Sequence, residues 1–223
     1  MSGSDEVPVI AIDGPSASGK GTVAQAVALA LGYHYLDSGA LYRLVALDAM
    51  QKAVALDDEA ALTALAEALD ARFDRGEVYL AGRRVTDEIR TEACSAAASR
   101  VAAVPGVRRA LLARQRAFRR PPGLVADGRD MGSVVFPDAR LKVFLTAGPE
   151  ARAERRYNQL KDKGIPVSID TLLLDLRERD ARDAERAAAP LRAAPDARCL
   201  DTTRMSALEA AAVVLGWYRG TGE

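Results

Sequence analysis

The stretch that decides the fold is Gly14-Pro15-Ser16-Ala17-Ser18-Gly19-Lys20-Gly21-Thr22. It follows the apolar, β-branched run from Val7 to Ile12, which predicts a buried strand. After it, apolar residues recur at helical spacing as far as Leu31. A Gly-rich loop between a strand and a helix turns tightly, aims backbone N–H groups inward and lies at the positive end of a helix dipole. With Lys20 as a point charge, the stretch predicts a loop that binds nucleotide phosphates; the alternative is an ordinary Gly-rich turn.

One position departs from the general pattern of such loops. The Ser or Thr expected directly after the lysine is Gly21, and Thr22 comes one step later. That hydroxyl normally binds the Mg²⁺ ion that accompanies the nucleotide. We therefore expect the ion to be held mainly by phosphates and water, with Asp13 or Asp127 behind it.

The composition excludes several classes of chemistry. The chain has 223 residues, 28% of them charged, with a formal net charge of zero, so nothing favours a nucleic acid or an anionic membrane as partner. A single histidine, His34, excludes a multi-His metal site and a Ser-His-Asp triad. Cys94 and Cys199 match no metal or redox spacing. Phosphoryl transfer remains the reaction class that needs only Lys, Arg, Asp and backbone amides.

Strands and helices alternate along the chain, which predicts a parallel α/β sheet. Further strands are predicted at Tyr33–Leu36, Leu124–Ala126, Leu141–Leu145 and Arg198–Leu200, and helices at 41–52, 57–70, 91–119 with a break at Pro105, 150–163, 170–187 and 206–219. Residues 71–90 have β character broken by turns and predict a small antiparallel insertion. No apolar run approaches the ~20 residues of a membrane span, and the first residues lack a signal-peptide pattern, so we expect a cytoplasmic protein.

Three more segments narrow the interpretation: Asp37-Ser38-Gly39-Ala40-Leu41-Tyr42-Arg43, Ala126-Asp127-Gly128-Arg129-Asp130-Met131-Gly132 and Arg177-Glu178-Arg179-Asp180-Ala181-Arg182-Asp183. Together with the Gly-Lys-Gly-Thr form of the loop, they resemble bacterial cytidylate kinases, and the resemblance runs over nearly the whole chain. It implies a P-loop kinase fold with a core of five parallel strands flanked by helices. The core is placed at 1–42, 110–149 and 190–223, an inserted monophosphate-binding lobe with a small antiparallel sheet at 43–109, and a short helical lid at 150–189.

The resemblance also implies an activity, the transfer of the γ-phosphoryl group of ATP to CMP or dCMP. ATP would contact all nine loop residues, 14–22, with Mg²⁺ bound alongside it. Lys20, Arg129 and Arg155 are implied as catalytic residues that neutralise the charge of the transferred group. The family further suggests a monomer.

Ten residues are implied to bind CMP: Ser38, Tyr42, Arg43, Ser99, Arg108, Arg129, Asp130, Arg179, Asp183 and Arg186. An arginine fork matches phosphate oxygens, which suits Arg43 and Arg129 to the acceptor phosphate. A carboxylate accepts from the N4 amino group of cytosine, which suits Asp130 to the base.

Each assignment has a structural alternative. Asp37 and Ser38 could simply cap the following helix. Arg129 could form an ion pair with Asp127 or Asp130. The arginines of 150–163 and 170–187 could lie on solvated, salt-bridged helix faces.

Two rival functions remain at this stage. One is a kinase of the same fold with another acceptor, such as AMP, UMP, shikimate or dephospho-coenzyme A. The other is a nucleotide-dependent switch or binding module. A guanine-nucleotide switch would normally carry an Asn-Lys-x-Asp motif, and the sequence has none.

Overall fold

The protein divides into two compact units, which are described separately. A computed structural model describes residues 7–74, 76–162, 164–186 and 188–220. The first unit, here called the sheet unit, comprises the chain up to Leu36 and from Phe118 onward. The second, the helical unit, comprises Asp37–Ala117.

The described strands are β1 (Val9–Asp13), β2 (His34–Asp37), β3 (Ala71–Asp74), β4 (Glu77–Leu80), β5 (Arg83–Arg84), β6 (Leu124–Gly128), β7 (Leu141–Thr146) and β8 (Arg198–Asp201). The described α-helices are α1 (Lys20–Leu31), α2 (Ser38–Gln51), α3 (Glu59–Glu67), α4 (Glu92–Val101), α5 (Pro105–Arg116), α6 (Pro149–Lys161), α7 (Ile169–Glu185) and α8 (Ala207–Arg219). A 3₁₀ turn spans Glu88–Arg90, and a π-helical turn spans Met131–Val135.

The sheet unit is built on a five-stranded sheet in the order β2-β6-β1-β7-β8, and this confirms the predicted α/β fold with a five-stranded parallel core. The central strand β1 pairs in parallel with β6 and β7. Its register sets Asp13 opposite Gly128, so β1 and β6 end level. Ligands of open α/β sheets bind beyond the carboxyl ends of the strands. The Gly-rich loop directly follows the end of β1, and Arg129 directly follows the end of β6.

The core of the sheet unit forms where the apolar faces of α1 and α8 cover the sheet. Ile10 and Ile12 of β1 are fully buried, as is Val27 of α1. Val214 of α8 belongs to the same cluster. Both faces of a parallel strand are covered, which explains why β1 reads as a continuous apolar run.

The helical unit combines α2–α5 with the predicted antiparallel insertion. Strands β3, β4 and β5 form a three-stranded sheet with antiparallel pairing. Helix α2 packs against α4, and α3 packs against α5. Pro105 occupies the first turn of α5, where its missing N–H costs nothing, so the predicted break at 105 separates two helices.

Sequence patterns located the elements but not all of their details. The π-helical turn after β6 was not predicted, because its apolar residues fit no helical or strand period. The bounds of the two units also differ from the predicted bounds at 43 and 109, and the predicted lid lies within the sheet unit. The three-part division into core, lobe and lid stays a prediction. Within the described ranges, we find no helix with the length and apolar character needed to cross a membrane.

Gly14 should be the least replaceable glycine of the sheet unit. Its φ is +154°, and a Cβ there would overlap the backbone carbonyl oxygen of Leu145, which cannot rotate away. Gly32 also has a positive φ, +66°, but a Cβ there would meet nothing within 4 Å. We expect Gly32→Ala to cost about 1 kcal/mol of unfolding free energy, as a left-handed alanine does, and Gly14→Ala to cost clearly more. Urea unfolding of both variants measures this, and equal losses would contradict the close packing of the loop against β7.

Candidate active site

The phosphate-binding loop, residues 14–22, leads from β1 into α1. Gly19 is the left-handed N-cap of α1, with a φ of 90°. The Lys20 side chain is buried, and its Nζ donates to the carbonyl of Pro15 at 3.2 Å. The lysine therefore curls back over its own loop, in the position from which it can meet an anion bound there.

Arg152 in the first turn of α6 supports this loop. Its guanidinium donates to the Ser16 carbonyl at 3.2 Å and to the Ala147 carbonyl at 3.0 Å. It also forms a two-pronged pair with Asp180 of α7, with one N···O distance of 2.6 Å. Because Arg152 is only 5% exposed, each of these groups is needed to satisfy a buried charge.

Arg155, one turn later, donates to backbone carbonyl groups, and its contact with the transferred phosphoryl group stays a prediction. Its guanidinium donates to the carbonyl of Ser18 at 3.1 Å and to the carbonyls of Thr202 and Met205 in the segment after β8. The Thr202 hydroxyl bonds to the same Ser18 carbonyl at 3.1 Å. These bonds of Arg155 go to neutral oxygens of the protein, which suits it to hold the loop in place.

Arg129, which follows β6, links the phosphate-binding loop to α7. Its Nη2 donates to the Ser16 hydroxyl at 2.8 Å, and its Nε donates to Asp183 at 2.7 Å. The alternative expected from the sequence was an ion pair of Arg129 with Asp127 or Asp130, whereas its observed partner is Asp183. A guanidinium this close to Ser16 adjoins the place where the loop would bind phosphate.

Asp183 is the acidic centre of an arginine cluster. Burial alone would raise the pKa of its carboxyl, but the charge and hydrogen bond of Arg129, followed by the charges of Arg186 and Arg179, lower the pKa below its usual value. The structure therefore brings four of the predicted CMP residues together within the sheet unit. The cluster brings the guanidinium groups of Arg129, Arg179 and Arg186 close to the Asp183 carboxylate, and guanidinium groups are the side chains that best match phosphate oxygens.

Asp13 and Asp130 belong to one local arrangement at the end of β1 and β6. The Asp13 carboxylate accepts from the backbone N–H groups of Met131 and Gly132, both at 2.8 Å. These residues open the π-helical turn that directly follows Asp130, and Asp130 is itself buried. Burial raises the pKa of Asp13 to about 7, although the two N–H groups oppose the shift. Asp13 thus fixes the segment that carries Asp130.

In the helical unit, Asp37 connects the predicted residues Ser38 and Arg43. Asp37 caps α2 by accepting from the N–H of Ala40 at 3.0 Å, as the structural alternative proposed. Its other carboxylate oxygen pairs with Arg43 at 2.5 Å. Ser38 begins α2 and is 3% exposed. A Cβ on Gly39 would lie 3.2 Å from the Arg43 guanidinium, so the glycine leaves room for it.

A second group in the helical unit surrounds Tyr42. The Arg108 guanidinium lies 5.9 Å from the centre of the Tyr42 ring and donates to the Ala102 carbonyl at 3.3 Å. The Tyr42 hydroxyl contacts the amide of Gln115 at 3.5 Å. Ser99 is buried on α4, the helix that packs against α2. The structure thus joins Tyr42 with Arg108 and places Ser99 on a neighbouring helix.

Asp127 offers the sheet unit's acidic oxygen nearest to Gly21. A Cβ on Gly21 would lie 3.4 Å from Asp127 Oδ2, and the carboxyl is only 5% exposed. Within the described residues, no group of three or more His, Cys, Asp and Glu side chains is suited to hold a metal ion. An ion bound mainly by phosphates and water, with one carboxylate close by, fits this donor set better than an all-protein cage, because Mg²⁺ retains several waters.

Several supporting residues were missed by sequence reasoning. Thr202 follows the last strand in a segment without a recognisable motif. Tyr35 reads as an apolar strand residue, yet its hydroxyl donates to Asp127. Asp180 lies in the segment Arg177–Asp183, but the sequence indicated no role for it. Its ion pair with Arg152 shows that it supports the arginine that holds the loop.

Comparison with known proteins places the chain in a family. The family model described as cytidylate kinase matches residues 10–219. The chain is 59% identical to a cytidylate kinase of Bordetella bronchiseptica over 212 residues, covering 95% of each protein. It is also 59% identical to a cytidylate kinase of Burkholderia multivorans, covering 97% of this chain and 95% of that relative. The chain belongs to the cytidylate kinase family.

Membership in the cytidylate kinase family confirms the resemblance found in the motifs and makes the chain a phosphotransferase with a phosphate group as acceptor. A solved structure from Thermus thermophilus has a TM-score of 0.49 at 20% identity, covering 97% of this chain and 98% of that one.

The buried Asp13 should make stability depend on pH. Its pKa is raised from 3.8 to about 7 in the folded protein, so between these values the unfolded chain ionises Asp13 while the folded chain keeps it protonated. The unfolding free energy of the wild type minus that of Asp13→Asn should therefore fall as the pH rises from about 4 to about 7 and stay level above.

Urea unfolding across this pH range measures the difference between the two proteins. The asparagine amide, which faces an N–H group, changes the difference in unfolding free energy by a constant amount, because the amide does not titrate. A difference that grew with pH would show that the two N–H bonds outweigh burial and that the pKa of Asp13 is lowered.

Proposed function

We propose that the protein is a cytidylate kinase that transfers the γ-phosphoryl group of ATP to CMP or dCMP, giving ADP and CDP or dCDP. The observation that carries this proposal is the bridge made by Arg129 between Ser16 of the phosphate-binding loop and Asp183 of α7. One guanidinium thus adjoins both the loop for the donor phosphates and the cluster proposed for the acceptor. Family membership supports the choice of acceptor.

The proposed reaction needs positioning and charge neutralisation more than covalent chemistry. An oxygen of the CMP phosphate attacks the γ-phosphorus in line, the bond to the β–γ bridging oxygen breaks, and ADP leaves. No protein base is required, because the acceptor phosphate is already ionised. Lys20 and Arg129 stabilise the negative charge on the transferred group. Mg²⁺ bound with ATP supplies further neutralisation of the β- and γ-phosphates.

Two of the arginines near the phosphate-binding loop are assigned to positioning the loop and not to the chemical step. Arg155 and Arg152 hold the carbonyls of Ser18 and Ser16, and we assign both to keeping the loop in its binding shape. Because these bonds anchor the start of α6, and the Arg152–Asp180 pair anchors α7, we assign movement of the proposed lid at 150–189 to the part between Arg155 and Asp180. Closure of that part would exclude water, so that ATP is not simply hydrolysed.

The ten residues predicted to bind CMP keep their proposed roles. In the helical unit, Ser38 and Arg43 are assigned to the phosphate and Tyr42, Ser99 and Arg108 to the nucleoside. In the sheet unit, Arg179 and Arg186 join Arg129 and Asp183, and Asp130 accepts from N4 of cytosine. We further propose a cytoplasmic monomer.

The function is tested by measuring ADP formation from ATP with CMP, dCMP, UMP, AMP and shikimate as acceptors. We expect turnover that depends on the acceptor and is fastest with CMP or dCMP. Lys20→Ala should lower it by orders of magnitude with an unchanged circular dichroism spectrum, because its charge acts mainly in the transition state. Fastest turnover with another acceptor would assign a different kinase, and ATP binding without acceptor-dependent turnover would favour a switch module.

The role of Asp130 should appear as selectivity between bases. Against uracil, its carboxylate would face the O4 carbonyl instead of an amino group. Sites that hydrogen-bond a substrate group discriminate strongly, so wild-type kcat/KM for CMP should exceed that for UMP by roughly 10²-fold or more. Asp130→Ala should narrow this ratio by at least about tenfold.

The matched control is Asp196→Ala, since Asp196 is 63% exposed and pairs with Lys142. It should leave the CMP-to-UMP ratio unchanged. Equal losses of kcat/KM on both substrates in Asp130→Ala would show that Asp130 supports the site without reading the base.

A further inference from the structure

The hydroxyl missing at position 21 has a counterpart on a different strand. Tyr35 lies on β2, and its hydroxyl donates to Asp127 Oδ2 on β6 at 2.5 Å. A Cβ built on Gly21 would be 3.6 Å from the Tyr35 hydroxyl oxygen and 3.4 Å from the same Asp127 oxygen. The tyrosine hydroxyl therefore borders the space that a side chain at position 21 would enter.

The bond between Tyr35 and Asp127 lies beside the position where the general loop pattern has a Ser or Thr and this chain has Gly21. In most loops of this kind, the residue after the lysine carries a hydroxyl that binds Mg²⁺, and an aspartate after a neighbouring strand completes the site. Here the first group is absent and Asp127 stands in the position of the second. A carboxylate that holds metal-bound water must have a fixed orientation, which outer hydrogen bonds usually provide.

We propose that Tyr35 is a positioning residue for the Mg²⁺–ATP site: its hydroxyl orients the Asp127 carboxylate in place of the hydroxyl that Gly21 lacks. Tyr35 touches neither metal nor nucleotide and acts only through Asp127. The inference rests on the proposed function, since Mg²⁺–ATP is its ligand. A Cβ at position 21 would come only into ordinary van der Waals contact with the Tyr35 hydroxyl, so both positions border the same space beside Asp127.

The first test uses Tyr35→Phe, which keeps the ring and removes only the hydroxyl. ATP binding is measured by calorimetry with excess Mg²⁺ and again in EDTA. We expect the Kd with Mg²⁺ to rise about fivefold or more, as for loss of one outer metal-site partner, and the Kd in EDTA to stay within about twofold. Tyr33→Phe is the control, because it removes a hydroxyl that bonds to Tyr218 at 2.8 Å in another part of the sheet unit. Tyr33→Phe should change neither value by more than about twofold.

The second test supplies a hydroxyl from position 21 in the variant that lacks the Tyr35 hydroxyl. Gly21→Ser added to Tyr35→Phe places an Oγ beside Asp127 and should recover at least half of the lost Mg²⁺-dependent affinity. In the wild type, Gly21→Ser brings no such gain, because Tyr35 already donates to Asp127.

Three results would overturn the proposal. If Tyr35→Phe weakens ATP binding equally with Mg²⁺ and in EDTA, the hydroxyl supports the loop and not the metal site. If neither Kd changes, the bond to Asp127 has no role in binding. If the double variant recovers nothing, position 21 and Tyr35 are not equivalent. Failure of the wild type to bind Mg²⁺–ATP at all would instead contradict the proposed function itself.

Discussion

The carbonyl groups of the phosphate-binding loop must find hydrogen-bond donors away from the nucleotide. A loop that aims its N–H groups at an anion turns its carbonyls the other way, and a buried carbonyl without a donor costs about 1–3 kcal/mol. In this protein, Arg152 donates to Ser16, and Arg155 and Thr202 donate to Ser18. The shape of the loop therefore depends on side chains far from it in the sequence.

This constraint ties the charged helices to the loop. Arg152 also pairs with Asp180, so α6 and α7 are joined beside the phosphate site. Arg129 adds a second link, from the Ser16 hydroxyl to Asp183. Buried arginines need such complete pairing, because an unpaired charge in the interior is strongly destabilising. Helix α7, which carries proposed acceptor residues, is thereby linked to the donor loop through Arg152 and Arg129.

The sequence predicted the features that depend on local patterns. Strand β1, the Gly-rich loop and α1 follow from periodicity and motif, and the segments around Arg43 and Arg129 identified the family. Partners across the fold could not be predicted in the same way. Helical spacing shows that Arg152 and Arg155 lie near each other on α6, but it does not show whether they meet phosphate, solvent or carbonyl groups.

Two further features lacked any signal in the sequence. Tyr35 resembles a core residue of a strand, since an aromatic side chain in an apolar run is usually there for packing. The π-helical turn after Asp130 is stabilised by the Asp13 carboxylate, a contact between residues more than a hundred positions apart. Tertiary hydrogen bonds of this kind override local propensity.

If arginines of the charged helices shape the phosphate-binding loop, Arg155→Gln should weaken the binding of Mg²⁺–ATP. Its control is Arg177→Gln, which removes the same charge from a side chain that is 61% exposed on α7. Loss of several bonds to loop and neighbouring carbonyls predicts a Kd raised roughly tenfold or more in Arg155→Gln, with Arg177→Gln within about twofold of the wild type. Equal affinities in the two variants would show that Arg155 does not shape the loop.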